Sequence, residues 1–206
     1  MIRVLLADDQ AMIRSALAAL LSLEADLDVV GEAGTCAEAI DLAARTRPDV
    51  ILLDVQMPSG GAGASDGIDA LPLLAAAAPE AQVVVVTTFG RPGYLRRALE
   101  AGAAGFMVKD APAERLVEGI RRAASGLRVV DPELAAASLS MGPSPLTDKE
   151  TQVLAAASGG ATTAEIAGTV FLSEGTVRNY LSSAIGKLGA RNRAEAIRTA
   201  TDNGWL

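Results

Sequence analysis

Five short apolar runs, IRVLLA, LDVVGEA, VILLD, VVVVT and GFMVK, recur through the first 125 residues, and stretches of helical period separate them. In the first of those stretches Ile13, Leu17, Leu20 and Leu21 repeat at the spacing of one helix face. The strand-like runs are apolar on both faces, the pattern of parallel strands covered by helices above and below. Five βα units in succession predict a doubly wound α/β domain with a five-stranded parallel sheet over residues 1–125. After Gly126 comes a short helix start at Asp131 and Pro132, then SLSMGPSPL, a Ser/Gly/Pro-rich stretch that reads as linker, so residues 126–145 are expected to join two domains.

From residue 146 to 206 the pattern changes to four helical segments with no strand of any length, a small all-α domain. Thr147 is the expected N-cap of the first, with Glu150 closing a capping box. Thr163 and Ser173 are expected to cap the next two, and Asn192 the last, with Glu195 at its box position. Only a few residues around Phe171 and Leu172 separate the second and third helices, the connection of a helix-turn-helix.

Composition removes several classes of chemistry. Half the chain is hydrophobic, yet no apolar run approaches the roughly 20 residues of a membrane helix. Met1 leads directly into IRVLLA without a signal-peptide pattern, so no membrane insertion and a cytoplasmic location are expected. Cys36 stands alone and reads as small core packing rather than half of a disulfide. Histidine is absent, which excludes imidazole-based triads, imidazole zinc sites and a phosphohistidine of the chain's own. The net charge of -7 argues against nucleic acid until it is divided along the chain. Residues 144–206 carry six basic and six acidic groups, so the whole excess lies upstream, and five of the six cations fall between Arg178 and Arg198.

Ligands of open α/β sheets sit at the carboxyl ends of the strands. There the chain carries Asp8 and Asp9 after the first run, Asp54 after the third, Thr87 and Thr88 at the fourth, and Lys109 after the fifth. Converging carboxylates repel unless a cation lies among them, and hard oxygen ligands suit Mg²⁺. Taken singly, Asp8 and Asp9 could be helix caps and Lys109 a solvated charge.

LLADDQ, ILLDVQMP, VVVVTTF and GFMVKD resemble the four signature segments of receiver domains, which have a flavodoxin-like fold, and together they span residues 1 to about 125. The resemblance implies that Asp54 accepts phosphate from a sensor histidine kinase. It also implies that Asp8, Asp9, Asp54 and the Gln56 carbonyl hold Mg²⁺, that Thr87 hydrogen-bonds the phosphoryl group, and that Lys109 pairs with it. Thr87 and Phe106 would form the conformational switch, although Phe106 also fits as an ordinary half-buried strand aromatic. Two departures stand out. Asp110 occupies the place where many receivers have proline, and seven residues (59–65) separate Met57-Pro58 from Asp66-Gly67 where two are common. This insertion reads either as a tolerated flexible loop or as a gate over Asp54.

LTDKETQVLAAASGGATTAEIAGTVFLSEGTVRNYLSSAIGKLGARNRAEAI is similar to the LuxR-type output domain of NarL/FixJ response regulators. Residues 173–188 would be the recognition helix, with Val177, Leu181, Ala184, Ile185 and Leu188 as its apolar stripe and Gly186 among the residues turned away from it. Candidate DNA contacts are Thr176, Arg178, Asn179, Ser182, Ser183, Lys187, Arg191 and Arg193, with Arg178 and Asn179 readable also as plain exposed polar residues. Together the two resemblances imply a phosphorylation-controlled transcriptional regulator that forms a homodimer on phosphorylation and binds double-stranded DNA at promoter half-sites. An aspartate-phosphorylating hydrolase would share the pocket but leaves residues 146–206 unexplained. A DNA-binding protein with a vestigial receiver is opposed by the intact acidic set.

Overall fold

The computed structural model describes residues 1–88, 92–132, 134–136 and 144–206. They form two compact units that divide in sequence between Ala135 and Ala136. Of the stretch read as linker, residues 133 and 137–143 lie outside the described residues.

The first unit follows the predicted alternation: β1 (Ile2–Ala7), α1 (Ala11–Leu21), β2 (Leu27–Ala33), α2 (Cys36–Thr46), β3 (Val50–Leu53), α3 (Leu71–Ala77), β4 (Gln82–Thr87), α4 (Pro92–Glu100), β5 (Gly105–Val108) and α5 (Ala113–Ala124). A sixth strand, β6 (Val129–Val130), then pairs with β5, and the unit continues past residue 125 to Ala135. Two residues are too few to show a periodicity, which is why the sequence pattern yields five strands. All pairings are parallel and the order is β2-β1-β3-β4-β5-β6.

The apolar-on-both-faces reading of the strands is explained by two cores, one on each side of the sheet. Leu5 and Ala7, Ile51 and Leu53, Val83 and Val85, and Phe106 face the side packed by α2, α3 and α4. Val4 and Leu6, Val50 and Leu52, Val84 and Val86, and Met107 face the side packed by α1 and α5. Strand side chains alternate between faces, so a strand buried on both must be apolar at every position. Phe106 is fully buried rather than half-buried, and Cys36 is likewise a buried core residue.

The second unit is α6 (Asp148–Ala156), α7 (Thr163–Val170), α8 (Glu174–Lys187) and α9 (Arg193–Asp202), closed around Val153, Leu154, Ile166, Val177, Leu181, Ala184, Ala196 and Ala200. Thr147 caps α6 with its reciprocal Glu150 bond, as the sequence predicts. The cap of α7 is Thr162, not Thr163, because Glu165 stands three residues after Thr162 and the two close a capping box. Ser173 caps α8 by accepting from the Thr176 N–H. Asn192 caps α9, but the Glu195 carboxylate takes the Arg191 N–H and guanidinium instead of closing back on Asn192.

Candidate functional site: an acidic pocket and a helix-turn-helix

At the carboxyl end of the sheet, β1, β3 and β5 deliver charged residues to one place. The carboxylates of Asp8, Asp9 and Asp54 each offer an oxygen within 4.8 Å of the others; Asp8 and Asp54 are buried and Asp9 is exposed. Lys109, one residue past β5, extends its Nζ to 2.6 Å from Asp8 and 3.0 Å from Asp54. Its backbone N–H donates to the Thr87 carbonyl at 2.8 Å, which fixes the end of β5 beside the end of β4. Thr87 itself is buried. Gln56 is exposed on the bend two residues beyond Asp54. The four strand-end positions named from sequence therefore converge.

Burial pushes the Asp54 carboxyl above its ordinary pKa, Lys109 pulls it back, and the nearby Asp8 charge adds to the upward push. Three carboxylates against one ammonium leave a formal surplus of two negative charges, which one divalent cation with hard oxygen preference would neutralise. The donor set fits Mg²⁺.

One residue at the site carries no chemistry of its own and was not singled out from sequence. A Cβ on Gly67 would lie 1.9 Å from the Asp54 carbonyl oxygen, so the loop can pass under Asp54 only because residue 67 is glycine. The Gly67 N–H also donates to the Val55 carbonyl at 2.9 Å. The insertion at residues 59–65 is tied to the N-terminus of α2. The Cys36 and Ala37 N–H groups donate to the carbonyls of Pro58 and Ser59 at 2.9 and 3.2 Å, and Ala64 is buried in the core. The N–H groups at the start of a helix lack intrahelical partners, and here the loop supplies them.

In the second unit, α8 presents Arg178, Asn179, Ser182 and Ser183 as exposed residues and Thr176 as partly buried. Arg178 is 66% exposed and pairs with Glu174 at 3.1 Å, and the 84% exposed Arg191 pairs with Glu195 at 3.0 Å. Exposed pairs of this kind contribute little and exchange partners readily. Lys187 differs. Its Nζ lies 2.7 Å from the buried Glu150, whose other oxygen accepts from Ser183 Oγ at 2.6 Å. Hydrogen bonds from Lys187, Ser183 and the Thr147 backbone hold the Glu150 carboxyl down to about 2. Arg193 donates to the Ala161 carbonyl at 2.8 Å and is partly buried. The sequence reading recognised Glu150 as a cap but not as the anchor of α8, because its partners lie 33 and 37 residues away.

The family described as the response regulator receiver domain matches residues 4–121, and the family of bacterial regulatory proteins of the luxR type matches residues 144–200. The chain is 40% identical over 206 residues to the transcriptional regulatory protein DesR of Bacillus subtilis (strain 168), covering 100% of both. It is 36% identical over 211 residues to the DNA-binding transcriptional activator DevR/DosR of Mycobacterium tuberculosis, covering 98% of this chain and 95% of that one. Among solved structures, the response regulator ChrA of a heme-sensing two-component system matches with a TM-score of 0.58 and 32% identity, covering 100% of this chain and 98% of that one. A two-component response regulator RcsB–DNA complex matches in fold, with a TM-score of 0.69 at 23% identity and 98% of each chain covered.

Proposed function

The chain belongs to the response regulators in which a receiver domain is joined to a LuxR-type helix-turn-helix domain, and on that premise we propose that Asp54 is the phosphoacceptor through which a sensor histidine kinase controls DNA binding. It is a DNA-binding transcriptional regulator of a two-component system, not an enzyme in the main sense. The observation that carries the assignment is the buried Asp54 carboxylate set between the other two pocket acids and the Lys109 ammonium.

An Asp54 oxygen attacks the phosphorus in line, the Asp54 O–P bond forms as the donor's N–P bond breaks, and the electron pair leaves with the imidazole nitrogen. Lys109, 3.0 Å from Asp54, is placed to stabilise charge on the transferred oxygens. Thr87 donates its hydroxyl to the phosphoryl group. Asp8, Asp9, Asp54 and the Gln56 carbonyl would hold Mg²⁺, which when bound supplies charge neutralisation at the phosphoryl oxygens. The chain's own chemistry is then limited to Mg²⁺-dependent self-phosphorylation and slow dephosphorylation at Asp54.

New charge on Asp54 biases a two-state receiver through Thr87 and the inward ring of Phe106. The favoured state pairs as a homodimer and sets two copies of α8 on adjacent half-sites of double-stranded DNA. Arg178 and Asn179 read base edges, flanked by Thr176, Ser182 and Ser183, while Arg191, Arg193 and the exposed part of Lys187 meet phosphates. Among the described residues no helix is long and apolar enough to cross a membrane, in keeping with a regulator that meets DNA in the cytoplasm. The receiver domain then runs to about residue 135, with β6 as its added edge strand, a linker follows to 145, and the DNA-binding domain spans 146 to 206.

Incubation with acetyl phosphate and Mg²⁺ tests the assignment. Wild type should acquire label at Asp54 and shift to a dimer in sedimentation, and Asp54→Asn should do neither. Full labelling of Asp54→Asn would overturn it.

A further inference from the structure

Phe171 occupies the turn between α7 and α8 in the left-handed region, at φ 55 and ψ 47, and is 93% exposed. Each property is unfavourable for phenylalanine. A residue with a Cβ is strained there, where helix ends ordinarily use glycine or asparagine, and a large aromatic ring gains nothing from standing in water.

The fold uses only its backbone, whose N–H donates to the Ala167 carbonyl. The turn's hydrophobic anchor is the next residue, Leu172, which packs on the core of the second unit. The ring therefore serves something outside the chain. Two residues later Ser173 caps α8, and Thr176, Arg178 and Asn179 follow in its first two turns, so Phe171 immediately precedes the helix assigned above to DNA. A flat apolar side chain exposed at the entry to a helix whose donors read base edges matches the one apolar group of the major groove, the C5 methyl of thymine.

We propose that Phe171 is a specificity-determining residue that seats its ring on a thymine methyl at the edge of each half-site. This rests on the recognition-helix reading of α8.

The test uses the full chain, phosphorylated with acetyl phosphate and Mg²⁺, and a duplex selected from a random pool by the wild-type protein. Each thymidine is replaced singly by deoxyuridine, which removes only the methyl. Wild type should lose about three- to fivefold in affinity at one position per half-site, the value of burying one methyl group. Phe171→Gly, which suits the left-handed turn, should melt no lower than wild type, bind the selected duplex weaker by a similar factor, and no longer distinguish thymidine from deoxyuridine. The proposal is overturned if wild type is indifferent to deoxyuridine everywhere. It is also overturned if Phe171→Gly weakens selected and scrambled duplexes alike, as a sugar or phosphate contact would, or leaves DNA binding unchanged while altering sedimentation, as a protein partner would. Arg178→Ala and Asn179→Ala run in parallel: wild-type binding by both would defeat the recognition-helix reading, and the deoxyuridine comparison would still decide the role of Phe171.

Discussion

Glu150 concentrates more of the DNA-binding unit's organisation than any candidate contact residue, although it touches no DNA in the proposed complex. Its carboxylate closes the cap of α6 and at the same time receives Ser183 and Lys187 of α8. Removing it would leave Lys187 without its anion and free the end of α8 that the anion holds. Glu150→Ala should therefore cost about 2 to 3 kcal/mol in urea unfolding at neutral pH, the worth of charge-assisted hydrogen bonds to a buried group. The sign of its pH dependence follows from the folded pKa of about 2 against an ordinary 4.5. The stabilisation is complete above 4.5 and disappears as pH falls from there towards 2. Unfolding midpoints of wild type and variant should converge near pH 2; a constant gap down to that pH would show that the charge is not what stabilises. The pocket acid Asp54 has the opposite sign, its carboxylate form being disfavoured by burial.

Among the elements, the inserted loop invites two readings from its glycines, and its contacts distinguish its ends. At Gly60, with φ +59, a Cβ would stand 2.7 Å from Thr35 Oγ1 at the N-cap of α2, whereas at Gly61 and Gly63 it would meet nothing within 4 Å. All three have positive φ, so each alanine carries the left-handed strain, and only Gly60→Ala adds a collision. Thermal or urea unfolding should show Gly60→Ala less stable than Gly61→Ala and Gly63→Ala by about 1 to 2 kcal/mol. Equal values for all three would mean that the loop's start is not seated on α2. A gating role requires more, namely that deletion of residues 60–64 changes the rate of Asp54 phosphorylation or dephosphorylation by over twofold.

Across the whole molecule the excess acidity lies upstream of residue 144 and residues 144–206 are formally neutral, so binding should lean on dimerisation and a few cations. Those cations differ in how free they are. Arg178 and Arg191 are in exposed pairs that DNA can replace, while Lys187 is bound to a buried acid. Arg178→Ala should cost about 1 to 3 kcal/mol on the specific site and relax base preference, with the scrambled site little affected. Lys187→Ala should weaken both sites and, unlike Arg178→Ala, lower the unfolding midpoint. Affinities on specific and scrambled duplexes across a salt series, with a melt of each variant, separate these outcomes; equal loss on both duplexes for Arg178→Ala would remove its base-reading role.

Much of this was legible in the chain alone. Strand and helix periods are local, and the end of a parallel strand is where an α/β sheet presents its ligands, so Asp8, Asp9, Asp54, Thr87 and Lys109 could be gathered before any coordinates. The caps at Thr147, Ser173 and Asn192 were readable for the same reason, since a cap and its partner lie three residues apart. Tertiary structure decided what depends on segments far apart in sequence. The pairing of β6 with β5, the anchoring of Lys187 and Ser183 on Glu150, the seat of the insertion on α2 and the approach of Gly67 to the Asp54 carbonyl are all of this kind. Exposure belongs with them: Phe171 and Leu172 are adjacent and both apolar, and only the closing of the core partly buries Leu172 and leaves Phe171 in water.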